Sequence, residues 1–258
     1  MKLQRLDTGS GRFYFDTIGT NPTVTDGTFF IVPSVTTVLG QIPSQRLEEL
    51  RQTIGDEELN KIGKRATRRG TAMHSFLENY FICLQKTSNP EKSLLYTQKK
   101  TPLDLRNDDI PEESIIEGRN LFYNYYYEGQ LDRISRVYST EQFVWSIKHK
   151  YAGTLDFCFV NQNNRLVIAD FKSANGIKDE ETIHKYFLQL AAYTIAFEEL
   201  FNRKISHTEL WISNRHGMQE RILEGSELTN CKEEYIHWVE NFHKNWNPEE
   251  TISTYYKR

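Results

Sequence analysis

Two short stretches hold the residues best suited to chemistry. Asp156 stands in Gly153-Thr154-Leu155-Asp156-Phe157, and Asp170 and Lys172 stand in Leu166-Val167-Ile168-Ala169-Asp170-Phe171-Lys172. Both read as strands, over 154–160 and 165–171, with Gln162-Asn163-Asn164 as the turn that pairs them. Side chains two apart on a strand share a face, so Asp170 and Lys172 point the same way. Val167, Ile168, Ala169 and Phe171 suggest that the strand is buried, where charge is costly unless something compensates it. A divalent cation between Asp156 and Asp170 would do so. Hard oxygen ligands suit Mg²⁺ or Mn²⁺. Such an ion polarises a phosphate and lowers the pKa of bound water. A nearby lysine can orient or help deprotonate that water and stabilise the charged transition state. This is the chemistry of phosphodiester hydrolysis. The plainer alternative is a strand-end ion pair between Asp170 and Lys172, with Asp156 a turn residue.

The elements that must position these groups follow from pattern. Residues 1–33 read as short strands, 12–15 and 28–32 among them. Ser34 is a good N-cap for a helix over 35–39, and Gly40 a good stop. Residues 46–86 read as helical in two or three pieces, with breaks at Gly55-Asp56 and Gly70-Thr71. Asp56, Glu57 and Glu58 suit a helix N-terminus. Residues 87–110 are polar with two prolines and read as a long loop, and 111–130 as a helix with Pro111 in its first turn. Three strands follow over 137–173, a helix over 180–201, strands over 205–213 and 218–223, and a helix over 229–244. This order predicts an α/β layer arrangement with a central mixed sheet flanked by helices, not a doubly wound fold. We expect a single domain over 1–258, with 34–130 mainly helical and 137–244 forming the sheet core.

Composition sets the bounds. The chain has 258 residues, 38% hydrophobic and 26% charged, which fits a folded protein with a sizeable core. Net charge is −3, so a nucleic-acid binder of this composition must concentrate its cations locally. Cys83, Cys158 and Cys231 are scattered and odd in number, which supports neither a zinc ribbon nor a disulfide framework. The N-terminus carries no apolar signal region, and no apolar run reaches membrane-spanning length. The expected location is the cytoplasm, of a bacterium or a phage-infected host cell. There is no GxxxxGK[ST] stretch and therefore no P-loop motor.

Taken in order, Gly70-Thr71-Ala72-Met73-His74, Gly153-Thr154-Leu155-Asp156, Asp170-Phe171-Lys172 and Gln189-Leu190-Ala191-Ala192-Tyr193 resemble the RecB-type branch of the PD-(D/E)XK nuclease superfamily, whose core is restriction-endonuclease-like. With Ser34-Val35-Thr36-Thr37-Val38-Leu39 ahead of them, they are similar to the mitochondrial genome maintenance exonucleases and related phage exonucleases. The resemblance implies that Asp156 and Asp170 are metal ligands and Lys172 the catalytic lysine. It implies that His74 brings an imidazole nitrogen to the metal and the Phe171 carbonyl an oxygen. Gln189 would position the substrate or the active-site strand, and Tyr193 lies one helical turn on, on the same face. Glu78, four residues after His74, is a candidate to orient its ring, and Glu141 a possible further acid. Leu155 replaces the proline of the family's name. Some RecB-type relatives hold an iron–sulfur cluster on four cysteines, so the three here lead us to expect none.

Lys61, Lys64, Arg65, Arg68 and Arg69 recur at helical spacing just before Gly70, a basic face that could track DNA phosphates. A solvated surface face is the alternative. Phe122, Tyr123, Tyr125, Tyr126 and Tyr127 could stack on unpaired bases or pack into a core. The resemblance favours a Mg²⁺- or Mn²⁺-dependent exonuclease acting on single-stranded DNA or flaps with free ends. The competing readings are an endonuclease or flap nuclease on the same site, and a non-catalytic DNA-binding module.

Overall fold

A computed structural model describes residues 3–16, 31–129, 131–249 and 251. Strands β1 (Leu3–Thr8), β2 (Gly11–Asp16) and β3 (Ile31–Pro33) form a small antiparallel sheet. Positions 28–30 of the expected second strand lie outside the described residues. Helix α1 (Val35–Leu39) follows with Ser34 as its N-cap, the hydroxyl accepting from the Thr37 amide at 3.0 Å, and Gly40 as its C-cap.

Helix α2 spans Gln45–Thr87 and leaves helical geometry at Gly55 (φ 78°, ψ 163°). One of the two expected breaks is therefore present. The other, at Gly70-Thr71, is not: the helix runs straight through. Ala72, Met73, Phe76, Leu77, Tyr80 and Phe81 are buried along one face just beyond it. That burial outweighs the helix penalty of one glycine, about 1 kcal/mol. The long loop expected over 87–110 is also wrong, because α3 occupies Pro90–Asn107. Pro90 sits in the first turn, where it is tolerated, behind an Asn89 cap that accepts from the Lys92 amide at 2.9 Å. The buried face of α3 carries Ser93, Thr97, Thr101 and Leu105 at four-residue spacing. Small hydroxyl residues pack closely against α2, and Asn79 of α2 donates to Thr101 Oγ1 at 3.1 Å. Such a face has helical period but little hydrophobicity, so a search for apolar periodicity passes over it.

Helix α4 (Glu112–Glu128) is followed by β4 (Ile134–Ser146), β5 (Tyr151–Asn161), β6 (Leu166–Ser173), α5 (Glu180–Phe201), β7 (His207–Asn214), β8 (Gly217–Leu223) and α6 (Gly225–Asn245). Helix α6 starts about one turn before the expected Thr229, with Leu228 buried in that turn. The five strands form one sheet in the order β4-β5-β6-β7-β8. Only the β6–β7 pair is parallel, joined by the α5 crossover. The sheet is buried on both faces. Leu188, Ala191, Phe197, Tyr235 and Val239 of α5 and α6 join Cys158 and Ile168 in one core. Met73, Phe76, Phe81, Phe122 and Tyr125 of α2 and α4 join Phe157, Phe171 and Trp211 in the other. This is the expected mixed sheet flanked by helices, with a helical region on its N-terminal side. No helix among the described residues is long and apolar enough to cross a membrane.

Candidate active site

The β5–β6 ladder runs in register from Val160↔Leu166 to Phe157↔Ala169 and ends there. The next two positions in that register are Asp156 and Asp170. In place of a ladder bond, the Phe171 amide donates to Asp156 Oδ2 at 2.8 Å. The strands thus part where the two acids stand. Asp170 is 1% exposed, and Lys172 Nζ is in ion-pair contact with its Oδ2. Asp170 Oδ1 is buried with no hydrogen-bond partner among the described residues. An unpaired buried carboxylate oxygen is costly, and a cation is the partner it best fits.

Burial pushes the Asp170 carboxyl up, against the pull of the Lys172 ammonium; Asp156 adds to the rise. Burial works against the Lys172 ammonium, but the Asp170 and Asp156 carboxylates outweigh it and hold its pKa above the ordinary lysine value. The two carboxylates thus favour the charged form of Lys172. Its Nζ also lies 5.1 Å from the centroid of the Tyr186 ring.

Helix α2 brings His74 in from one side. Its neighbours Ala72, Met73, Phe76 and Leu77 are buried, which fixes the helix roll and leaves the His74 side chain partly exposed. His74 Nδ1 is 3.8 Å from Asp156 Oδ2 and 3.9 Å from Glu141 Oε1. Its ring meets Phe171 edge-on at 6.3 Å. Burial disfavours the charged imidazole, but Asp156 and then Glu141 outweigh this and lift its pKa to about 9. Glu141, on β4, has φ 45°, a left-handed conformation uncommon for a non-glycine residue inside a strand. His74, Glu141 and Asp156 each offer a ligand atom within 4.8 Å of the others. Two carboxylates and an imidazole in this arrangement fit a hard divalent cation; Asp170 is not in that group of three.

Helix α5 closes the other side. Asp179 caps it, accepting from the Thr182 amide at 2.8 Å. Gln189 Nε2 donates to the Tyr193 hydroxyl at 2.9 Å. Tyr193 is 4% exposed; burial, then the Asp170 and Asp156 carboxylates, raise its phenol well above the usual value. A Cβ on Gly153 would lie 2.8 Å from Tyr193 Cε1 and 3.2 Å from Val35 Cγ2. The glycine of the GTLD stretch, the SVTTVL helix and the last residue of QLAAY thus meet at one close contact.

The structure therefore gathers His74, Asp156, Asp170, Phe171, Lys172, Gln189 and Tyr193 around the opening of β5 and β6. Among the described residues no hydrogen bond joins Glu78 to His74, though the His74 charge acts on the Glu78 carboxyl, and Glu141 Oε1 lies 3.9 Å from the ring's Nδ1. Burial raises the Glu78 carboxyl, with Glu141 adding to the rise. The basic stretch does not present one uniform cationic face. Lys61 pairs with Glu57 at 2.9 Å, and Arg65 with Glu117 of α4. Lys64 and Arg68 line a hollow beside Leu47 and Arg51, while Arg65 and Arg69 line another between α2 and α4. The aromatic run divides as well. Phe122 and Tyr125 are core, Tyr123 and Tyr126 half-buried, and Tyr127 is 72% exposed. The Tyr125 hydroxyl lies 2.9 Å from the Lys172 carbonyl of β6 and 2.7 Å from the Trp211 carbonyl of β7. Neither Tyr125 nor Tyr186 stood out in the sequence for this role.

Residues 44–236 match the family described as the PD-(D/E)XK nuclease superfamily. No curated protein matches the sequence. Among solved structures, a candidate exonuclease from Eubacterium rectale is 15% identical, with 72% of this chain and 67% of that one covered and a TM-score of 0.43. The protein SSO0001 is also 15% identical, with 60% and 71% covered and a TM-score of 0.35.

Proposed function

The chain belongs to the PD-(D/E)XK nuclease superfamily, and from that premise we propose that it is a metal-dependent DNA exonuclease working from the ends of single-stranded DNA or flaps. The observation that carries the site is the convergence of His74, Glu141 and Asp156 within 4.8 Å, beside the Asp170–Lys172 pair. Nucleases of this superfamily generally use divalent metals. Here Asp156, Asp170, Glu141 and His74 would hold Mg²⁺ or Mn²⁺, with the Phe171 carbonyl as a further oxygen. When bound, the ion supplies Lewis-acid polarisation of the phosphate and an acidified water.

The protein's own groups do the rest. Lys172, held cationic by the two aspartates, donates to the oxygen on which negative charge grows. The Phe171 amide fixes the Asp156 carboxylate, and Tyr186 and Tyr193 wall the Lys172–Asp170 pair from the α5 side. Gln189 orients the Tyr193 phenol, so a substitution there loosens the wall rather than removing a reacting group.

The reading is tested on end-labelled linear and circular single-stranded DNA with Mg²⁺, Mn²⁺ or EDTA, comparing wild type with Lys172→Ala. Metal-dependent loss of linear DNA only, abolished by the substitution, is expected. Cleavage of circles would replace the exonuclease with an endonuclease. Intact DNA under every metal would leave a binding protein.

A further inference from the structure

Between α2 and α4, at the end of the β6–β7 pair, lies a cleft of about 700 Å³. Its floor begins two residues beyond Lys172, at Ala174 and Asn175. Arg69 on α2 forms one wall, and Arg215, in the β7–β8 turn, another. Asn120 and Asn124 of α4 line it as well, together with the Arg65–Glu117 ion pair.

Arg69 is the unusual member. It is half-buried, yet no carboxylate lies within ion-pair distance of it among the described residues. The Asn175 side-chain oxygen takes one of its terminal nitrogens, and its Nε is buried without a hydrogen-bond partner. Burial, with Arg65 nearby, lowers its pKa, against the pull of Glu117. Glu117 gives one oxygen to Arg65, and its other oxygen is buried without a hydrogen-bond partner among the described residues. Arg215 is exposed and held by a bond from its Nε to His216 Nε2 at 3.0 Å. Two guanidinium groups without carboxylate partners thus face one cleft that opens beside the catalytic lysine. Guanidinium forks match phosphate oxygens, and side-chain amides match base edges.

We propose that this cleft is the subsite for the nucleotides next to the scissile bond, with Arg69 and Arg215 holding backbone phosphates of one DNA strand and Asn120 meeting a base edge. A hollow of this volume takes roughly one or two nucleotides of a single strand, in the range of small-ligand pockets; a duplex cannot enter it. The proposal rests on the nuclease reading for its substrate and supplies a structural reason for the single-strand preference.

The test measures binding in EDTA, so that it depends on neither metal nor cleavage. Anisotropy of labelled oligothymidylate is titrated with wild type, Arg69→Gln, Arg215→Gln and, as a control, Lys148→Gln in the exposed β4–β5 turn. Arg215 lies in an exposed turn, which keeps the test sound should Arg69→Gln fold poorly. Each arginine variant is expected to bind about tenfold more weakly, as for loss of one charge-assisted hydrogen bond. The slope of log K against log salt should fall by roughly 0.7 for each phosphate that an arginine no longer neutralises. Lys148→Gln should match wild type. Arginine variants with unchanged affinity and slope, equal weakening by Lys148→Gln, or wild type binding blunt duplex as tightly as the single strand would overturn the proposal. Failure of the nuclease reading shows itself separately, as linear DNA left intact by wild type with Mg²⁺ and Mn²⁺.

Discussion

At the residue scale, the site is a balance of buried charges that no single pair satisfies. Asp170 has one oxygen on Lys172 and the other without a partner among the described residues. Asp156 is shared between the Phe171 amide and His74. Lys172→Ala should lower the cleavage rate by at least about 100-fold, the scale for removing one group that stabilises developing charge. The same variant should bind DNA in EDTA nearly as well as wild type, which separates a catalytic role from a binding one. Glu141→Gln keeps the size of the side chain and removes its charge. It should raise the Mn²⁺ concentration for half-maximal activity by about 10-fold or more. Equal metal dependence in wild type and Glu141→Gln would remove Glu141 from the ligand set. Asp156, Asp170 and Lys172 were legible in the sequence because strand geometry fixes which side chains share a face. Glu141 stood there only as a possible acid, since its place opposite Asp156 depends on the register of β4 against β5, in which Thr140 pairs with Phe157 and Gln142 with Leu155.

At the scale of elements, the site lies between two helices anchored by different means. Helix α5 depends on its N-cap. The Asp179 carboxyl accepts from the Thr182 amide and hydroxyl and faces Arg46, which together hold its pKa at about 2, against an ordinary 3.8. A depressed carboxyl favours the fold above the unfolded value and loses that contribution as pH falls through the folded one. Asp179→Ala should therefore cost about 1 kcal/mol at neutral pH, as for loss of a cap. Thermal melts of the two proteins should converge as pH drops from about 3.8 towards 2. A gap unchanged across that range would show that the charge contributes nothing. Helix α2 is instead fixed by packing. A Cβ on Gly118 of α4 would fall 2.5 Å from Ala72 Cβ and 2.7 Å from the Met73 backbone nitrogen, one residue from His74. Gly118→Ala should destabilise the fold by about 1–3 kcal/mol, the range for overpacking. Because the clash bears on the α2 backbone, Mn²⁺ binding should weaken with it. A melting point and a metal titration unchanged from wild type would show that the two helices can separate without cost. The caps at Ser34 and Asp179 follow from local chemistry, since a side-chain oxygen reaches an amide three residues on. Helix α3 escaped sequence reading because serine and threonine make up most of its buried face.

At the scale of the whole molecule, a sheet covered on both faces opens at one end of a strand pair, and α2, α5 and β4 converge on that opening. The sequence alone determined the parts whose geometry is local. The two-residue strand period put Asp170 and Lys172 on one face. The turn at 162–164 set the register that places Asp156 opposite Asp170, and helical spacing put Gln189 beneath Tyr193. It also carried the family resemblance through four ordered motifs, and with it the mixed-sheet fold. Only the tertiary structure decided which distant groups join them. Glu141 reaches His74, Tyr186 covers Lys172, Tyr125 sits under β6, and the five cations of α2 divide between two hollows and partners as distant as Glu117. The physical reason is one of range. Backbone periodicity and capping act over three or four residues. The direction in which a buried helix turns its side chains is set by the burial of a whole face against another element, and that balance is struck only when the chain is packed.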